Sequence, residues 1–580
     1  MSLCSHRRLA LVLGFLLSAP AGRSGAPVPD TPFNQYFREA FVQGVGGEND
    51  VRSLAVASDG AVWVAGAAGV RRIDSGRFVE SPGAELHGPA HQVKLADDGA
   101  LWIAAWNGVY VARDGRVAPA GEFAGPATAL STAGGRVLAG SPAGVFEWKK
   151  GEWKRLDGAW ATSIRDVASA GREVFVATDV GLFHHDGRRT RRWANADEIT
   201  SSTVRRAVFG AGDGRPEAPP AALWVATNAG FDLFERSNEG WRRALWVDES
   251  GLHATEDAAA QERHNLLASV DVRSLAVHNE APGPAGRRRL VLATPVGVLE
   301  SEFPARPASW RLFHSLRWLP SDDVRDVAID RDGTIWAATA AGVSAIRRKS
   351  MTLAEKAEYF ENVVRARHVR PPGLVERCDL ERPGDLSSWA PVDTDNDGQY
   401  TGTYLVAESY RWAATKDPTA KRNAQAAFAA LEFLQTVTGT KGFLARTVVP
   451  AHWTRMADPN RSYSPQERAR LLAEDPRERI VERRWRLSDD LQWLWKGDTS
   501  SDEVTGHFYA WGVYHDLVAD GGERARVADL ARRVMDYIIE GGYVFRDLGG
   551  EPTRWGVWSP ERLNGDPNWR AERGVNSVEI

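Results

Sequence analysis

Three aspartates, Asp393, Asp395 and Asp397, alternate along the stretch from Asp393 to Thr403 and end against Gly398. Side chains at that spacing can point at one ion from a turning loop, and glycine permits the sharp bend. This is the first half of a calcium loop. Tyr404 stands where the bidentate glutamate of an EF-hand would be, so a complete EF-hand is not expected. The same residues also suit a polar turn capping the next helix, or carboxylates acting directly in catalysis. All three readings stay open, with Tyr400 in the same stretch as a candidate sugar contact.

A second cluster lies further on, at Asp498, Asp502, Glu503 and His507. On a helix beginning near Ser501, Glu503 and His507 share one face, and a carboxylate oriented on an imidazole can fix a general base. Gly506 beside His507 would leave room for a ligand. The alternative is acids capping a helix, with His507 merely packed. Arg446 could neutralise a sugar carboxylate. Trp555 and Trp558, either side of Gly556, could stack on pyranose rings or form a buried turn.

Hydrolysis of a glycosidic bond needs two carboxylates astride it, which Asp397 with Asp502 or Glu503 could supply. β-Elimination on a uronic acid needs a base such as His507 or a tyrosine, with Arg446 or Ca²⁺ on the sugar carboxylate. The sequence does not choose between them.

Two kinds of element must position these residues. Before residue 348 the chain repeats itself. Trp63, Trp102, Leu138, Phe175, Trp224, Val291 and Trp336 sit in short apolar runs, each followed six positions on by a glycine, the last being Gly342. Upstream runs such as Val51–Val56, Val272–Val277 and Val324–Ile329 add a strand, and Asp59-Gly60, Asp98-Gly99 and Asp332-Gly333 mark hairpin turns. A small sheet of this kind cannot bury both faces alone, so seven of them stack radially as a β-propeller over 33–347. Arg38–Val42 is the expected strand that completes the last blade. An insertion at 211–221 and a larger one at 235–268, carrying His253 and His264, interrupt the later repeats.

A connector at 348–392 opens with the capping box Thr352–Glu355. Its helix ends in Arg367-His368-Val369-Arg370, cations that either answer the helix dipole or reach an acidic group. From 393 to 580 the chain reads as all-α, with helices at Thr403–Ala414, Pro418–Val437, a Ser500-capped segment through Val518, and Arg524–Glu540.

The strand–Asp-Gly–Trp–Gly repeat resembles the sensor propellers of two-component regulators. The chain beyond the repeats contains no phosphoacceptor helix or ATP-binding glycine box, so the resemblance does not extend to kinase signalling. Asp395–Gly398 before a Tyr-rich helix, Thr415–Pro418, Thr438–Gly442 ahead of Arg446, and Gly497–Glu503 leading to His507 resemble the six-hairpin (α/α)-toroid enzymes. That resemblance implies a glycoside hydrolase or polysaccharide lyase acting on a poly- or oligosaccharide. Fewer helices are present than a six-hairpin ring needs, and Asn576–Ile580 reads as the start of another, so the sequence is expected to be a fragment. The alternative is a non-catalytic sensor, or a propeller that binds carbohydrate or peptide.

Composition narrows the partners. With 72 basic and 76 acidic side chains the net charge is only −4, which argues against nucleic acid as the main partner. Arg7 and Arg8 precede the apolar run Leu9–Leu17 and small residues come after it, so residues 1–26 read as an export signal and the mature chain as secreted or periplasmic. That run is too short to span a membrane, and Cys4 lies ahead of it, which does not suit a lipid anchor. Only Cys378 then remains, leaving no internal disulfide.

Overall fold

The computed structural model describes residues 30–42, 49–79, 86, 88–113, 116–158, 163–193, 198–210, 222–238, 240–254, 267–279, 288–303, 310–382 and 386–579. The expected export signal, the 211–221 insertion and His264 lie outside them. Two compact units divide the chain between residues 351 and 352.

The N-terminal unit is all-β. Among the described residues seven sheets form its blades, six of four strands and one of five. Each apolar cluster spans two successive blades. Trp336 of blade seven packs with Val51, Leu54 and Val62 of blade one, and Trp224 of blade five packs with Val272 and Leu290 of blade six. The bulky repeat residue therefore joins blades, because one face of each short sheet is otherwise exposed to water. The ring closes through the N-terminal strand Phe33–Phe41, which pairs antiparallel with Gly342–Met351, from Phe33 opposite Met351 to Phe41 opposite Val343. The closing strand is longer than the Arg38–Val42 expected and begins five residues earlier.

The repeat glycine has a steric cause. At Gly230 φ is +139°, and a Cβ there would collide with the Val247 carbonyl of the adjacent strand. Gly342, at φ +132°, presses in the same way on the Phe41 carbonyl. The threonine three residues earlier closes the turn, as where Thr339 Oγ1 donates to the Gly342 carbonyl at 2.8 Å and accepts from Ala341 N–H at 3.1 Å.

A belt of ion pairs runs between neighbouring blades. Asp271 lies between Arg205 (3.1 Å) and Arg273 (3.7 Å), Asp323 pairs with Arg273 and Arg325, and Asp50 pairs with Arg325 and Arg52. The larger insertion is partly strand: Gly240–Asp248 and Gly251–Ala254 extend blade five. His253 stacks on Trp246 and pairs with Asp248 at 3.1 Å.

The C-terminal unit is mainly helical, and its principal helices are α1 (Leu353–Arg367), α2 (Asp397–Thr415), α3 (Pro418–Thr436), α4 (Pro465–Glu474), α5 (Ser501–Leu517) and α6 (Gly521–Glu540). α2 turns into α3 through Lys416 in the left-handed region, with Asp417 accepting Thr419 N–H at 2.8 Å and Pro418 in the first turn. Ala427, Phe428, Leu431 and Leu434 of α3 meet Leu405 of α2 and Trp511 and Tyr514 of α5 in one core, where Phe428 and Tyr514 stack at 4.8 Å. Small residues let α2 and α5 cross closely, and a Cβ on Gly402 would stand 3.3 Å from that of Ala510.

Three differences from expectation stand out. α2 starts at Asp397 rather than Thr403. α4 forms although none of its residues is buried. A small sheet joins Thr447–Pro450, Trp493–Lys496 and Trp485–Leu487 within a half expected to be all-α.

Candidate functional site

The first turn of α2 gathers the aspartate stretch, but the three carboxylates diverge. Asp397 is wholly buried. It receives Arg370 Nη2 at 2.7 Å, Thr394 Oγ1 at 2.7 Å, Thr394 N–H at 3.0 Å and the Thr447 hydroxyl. Arg370, buried too, also pairs with Glu376 and donates to the Val448 carbonyl, so it reaches an acidic group rather than answering a dipole. Asp395 turns the other way, to Lys496 Nζ at 2.6 Å and Arg484 at 3.2 Å, with Arg446 at 3.8 Å. Burial opposes its ionisation, but these three cations outweigh that and hold its carboxyl well below the usual carboxylate range. Asp393 accepts Ala457 N–H at 2.8 Å, and burial pushes its carboxyl up.

Cations and backbone donors therefore stand where a Ca²⁺ ion would need open carboxylates. Among the described residues no group of three His, Cys, Asp or Glu side chains is placed to hold a metal. The calcium-loop reading does not fit this geometry. Melting temperatures with added Ca²⁺ and with a chelator are expected to coincide; a rise that grows with Ca²⁺ concentration would contradict this.

Arg446 is spent on structure. Its guanidinium donates to the Asp395 carbonyl (3.0 Å), the Asp498 carbonyl (2.9 Å) and Ser500 Oγ (3.3 Å). Asp498, in the left-handed region at φ +64°, accepts Arg554 N–H at 2.8 Å and lies 3.7–3.9 Å from Arg479, Arg484 and Arg554. Ser500 makes no cap to the α5 backbone; its hydroxyl goes to Asp502, which is exposed.

Glu503 and His507 lie one turn apart on α5 and are wholly buried against α2. A Cβ on Gly398 would stand 2.6 Å from both Glu503 Oε2 and His507 Nε2, so glycine there lets α2 cover them. The room beside Gly506 is filled by Gln399, whose Cγ would be 3.0 Å from a Cβ, rather than left for a ligand. Glu503 Oε2 accepts Gln399 N–H at 3.1 Å, while Oε1 and both ring nitrogens of His507 have no hydrogen-bond partner. Burial raises the Glu503 carboxyl well above the usual range, with Arg446 opposing. Burial alone lowers His507 to about 3. Burial thus favours the uncharged form of both groups.

The expected sugar platform is divided. Tyr400 is exposed on α2. Trp555 is half-buried under the guanidinium of Arg477, 4.7 Å from its ring. Trp558 is buried in the core, where its Nε1 donates to Glu579 at 3.0 Å. A cavity of about 760 Å³ does open nearby, lined by Arg477, Arg479, Arg554 and Trp569 among others.

A second polar centre lies on the propeller axis. Ser53, Gln92, Asp166, Arg206 and Asp326, each third in its blade's inner strand, form one tier with Ser274 of blade six. Gln92 of blade two donates to Asp166 of blade four at 3.1 Å. Arg206 of blade five reaches Asp326 of blade seven at 3.0 Å and lies 3.7 Å from Asp166. Two residues along each strand the next tier holds alanine or valine in most blades, as at Ala55, Ala168, Val208, Ala276 and Ala328, but lysine at Lys94. Lys94, Ser131, Asp166 and Arg206 line a pocket of about 320 Å³. Burial lowers the Lys94 ammonium, and Arg206 adds to this against Asp166 and Asp326. The sequence pointed to none of these residues. The available signal was a charged residue at a repeat position that is otherwise small or apolar.

The sequence pattern of the family described as two component regulator propeller matches residues 319–341, across the start of the seventh blade. No curated protein matches the chain. Among solved structures, the extracellular domain of a one-component system from B. thetaiotaomicron is similar at 15% identity and TM-score 0.39, over 53% of this chain and 40% of that one. The extracellular domain of a hybrid two-component system from the same organism is similar at 14% identity and TM-score 0.37, over 53% and 42%. This chain thus spans less than half the length of either. Virginiamycin B lyase from Staphylococcus aureus is similar at 10% identity and TM-score 0.38, over 54% of this chain and 99% of that one.

Proposed function

We propose that the chain is a secreted or periplasmic ligand-binding protein without catalytic activity, in which the propeller binds a carbohydrate or peptide and the helical unit is a scaffold. The axial pocket carries this reading: it has the volume of a small-ligand site and a lysine at a repeat position that most blades fill with alanine or valine. Asp397, Glu503 and His507, by contrast, are wholly buried, and Arg446 has its donors committed to the surrounding loops. The leader-like first residues support export. Among the described residues no helix is long and apolar enough to cross a membrane, and the near-balanced charge does not suit nucleic acid.

A second reading is a glycan hydrolase or lyase acting in the helical unit. The unpartnered atoms of Glu503 and His507 favour it, because buried polar groups left without partners call for an explanation. Incubation with neutral and uronate polysaccharides separates the two. Retention of a polysaccharide is expected, with no new reducing ends and no rise in ultraviolet absorbance from unsaturated ends. The double variant Asp502→Asn, His507→Ala is expected to bind like the wild type. Turnover that this variant loses would replace the first reading with the second.

A further inference from the structure

The hydrogen-bonding capacity around the axial pocket is unevenly spent. Its buried acceptors are engaged. Asp166 takes Gln92 Nε2 (3.1 Å) and Ala207 N–H (3.2 Å), and Asp326 takes Ser274 Oγ (2.7 Å), Leu54 N–H (3.1 Å), Val327 N–H (3.0 Å) and Arg206 (3.0 Å). Ser131 Oγ bonds Ser169 Oγ at 2.8 Å and accepts Ser169 N–H at 3.2 Å. The rim residue Asp97 accepts Gly135 N–H at 3.2 Å.

The unspent groups are donors. Arg206 Nε is buried with no hydrogen-bond partner. Asp166 and Asp326 make their ion pairs with Arg206, and among the described residues no carboxylate pairs with the Lys94 ammonium. Lys94 is half-buried and lines the pocket. The same ammonium facing a ligand-sized space gains most from an acceptor that carries charge.

We infer that the axial pocket binds the carboxylate of a small organic acid or acidic sugar, with Lys94 as its direct ion-pair partner above the Arg206 tier. The assignment rests on the reading of the propeller as the binding module, and it narrows the ligand to an anionic one. Asp166 and Asp326 hold Arg206 in place, so Lys94 is the cation left to meet a ligand charge.

The test uses the full chain with acetate, glucuronate and glucose as probes, read by thermal shift and by the Nζ resonance of labelled Lys94. Acetate and glucuronate are expected to raise the melting temperature with concentration and to move the Lys94 resonance, and glucose to do neither. Lys94→Met should weaken glucuronate binding at least tenfold, with Lys94→Arg recovering part of it. Equal binding of glucose and glucuronate, unchanged in Lys94→Met, overturns the carboxylate assignment while leaving the propeller a binding module. A silent Lys94 resonance with every probe also overturns it, and polysaccharide retention by the same sample then tells separately whether the binding reading survives.

Discussion

Arg370→Met is expected to destabilise the C-terminal unit by about 3–5 kcal/mol, the cost of removing one partner from a buried ion pair. Its guanidinium lies between Asp397 and Glu376, all three buried, and reaches Thr447 Oγ1 at 2.7 Å. It therefore ties the start of α2 to the strand Thr447–Pro450. Methionine keeps much of the volume but leaves two carboxylates without a counter-charge, and these must either protonate or pull in water. Adding Asp397→Asn to Arg370→Met should recover part of the loss, because one of the stranded charges is gone. Urea unfolding followed by helix content measures both. A shift under about 0.5 kcal/mol, the usual range for changes away from buried networks, would mean the Arg370 network does not hold α2. Activity enters neither measurement, so the outcome is independent of what the protein binds.

How far the sequence could be read depended on whether the controlling contact was local. The propeller was legible because each blade repeats a bulky residue and a glycine at one spacing, and radial stacking is the consequence of a sheet that is apolar on both faces. α3 was legible from Asp417 and Pro418, whose roles are settled within four residues. Gly398 misled, since it reads as a break before a helix. Its lack of a Cβ is instead what lets the first turn of α2 lie on Glu503 and His507. Ser500 and Glu503 match a capping box in pattern, yet Glu503 turns inward to Gln399 and Ser500 to Asp502. The small sheet could not be foreseen, because Thr447–Pro450 pairs with a strand that begins at Trp493. Three aspartates at alternate positions suggested one shared ion, and the cations that separate them, Arg370, Lys496 and Arg484, come from distant segments. Lys94 becomes visible only when the inner strands are aligned on the tier of Ser53, Gln92 and Asp166.

The buried pair on α5 makes the second large prediction, a dependence of stability on pH with opposite signs for its two members. Folding lowers His507 from the ordinary value of about 6.5 to about 3. The unfolded chain then binds more protons below about pH 6.5, so the stability His507 permits is fully present above that value and is lost as pH falls toward 3. At about 1.4 kcal/mol per unit, the loss approaches 4–5 kcal/mol at the acid end. Glu503 works the other way. Its folded carboxyl titrates well above the usual range, so the folded state holds the extra proton, and stability falls as pH rises from about 4.3 toward the raised value. Where their ranges overlap the two slopes oppose one another, with His507 governing the acid side and Glu503 the alkaline side. His507→Leu should abolish the acid limb and, above about pH 6.5, stabilise the protein modestly, since two unpartnered ring nitrogens leave the core. Glu503→Gln should abolish the alkaline limb and exceed the wild type progressively as pH rises above about 4.3. Urea midpoints from pH 3 to 9 for the three proteins decide it. If both variants track the wild type across that range, the pair is open to water and exchanges protons freely. Glu503 and His507 would then be available to act as acid and base on a ligand.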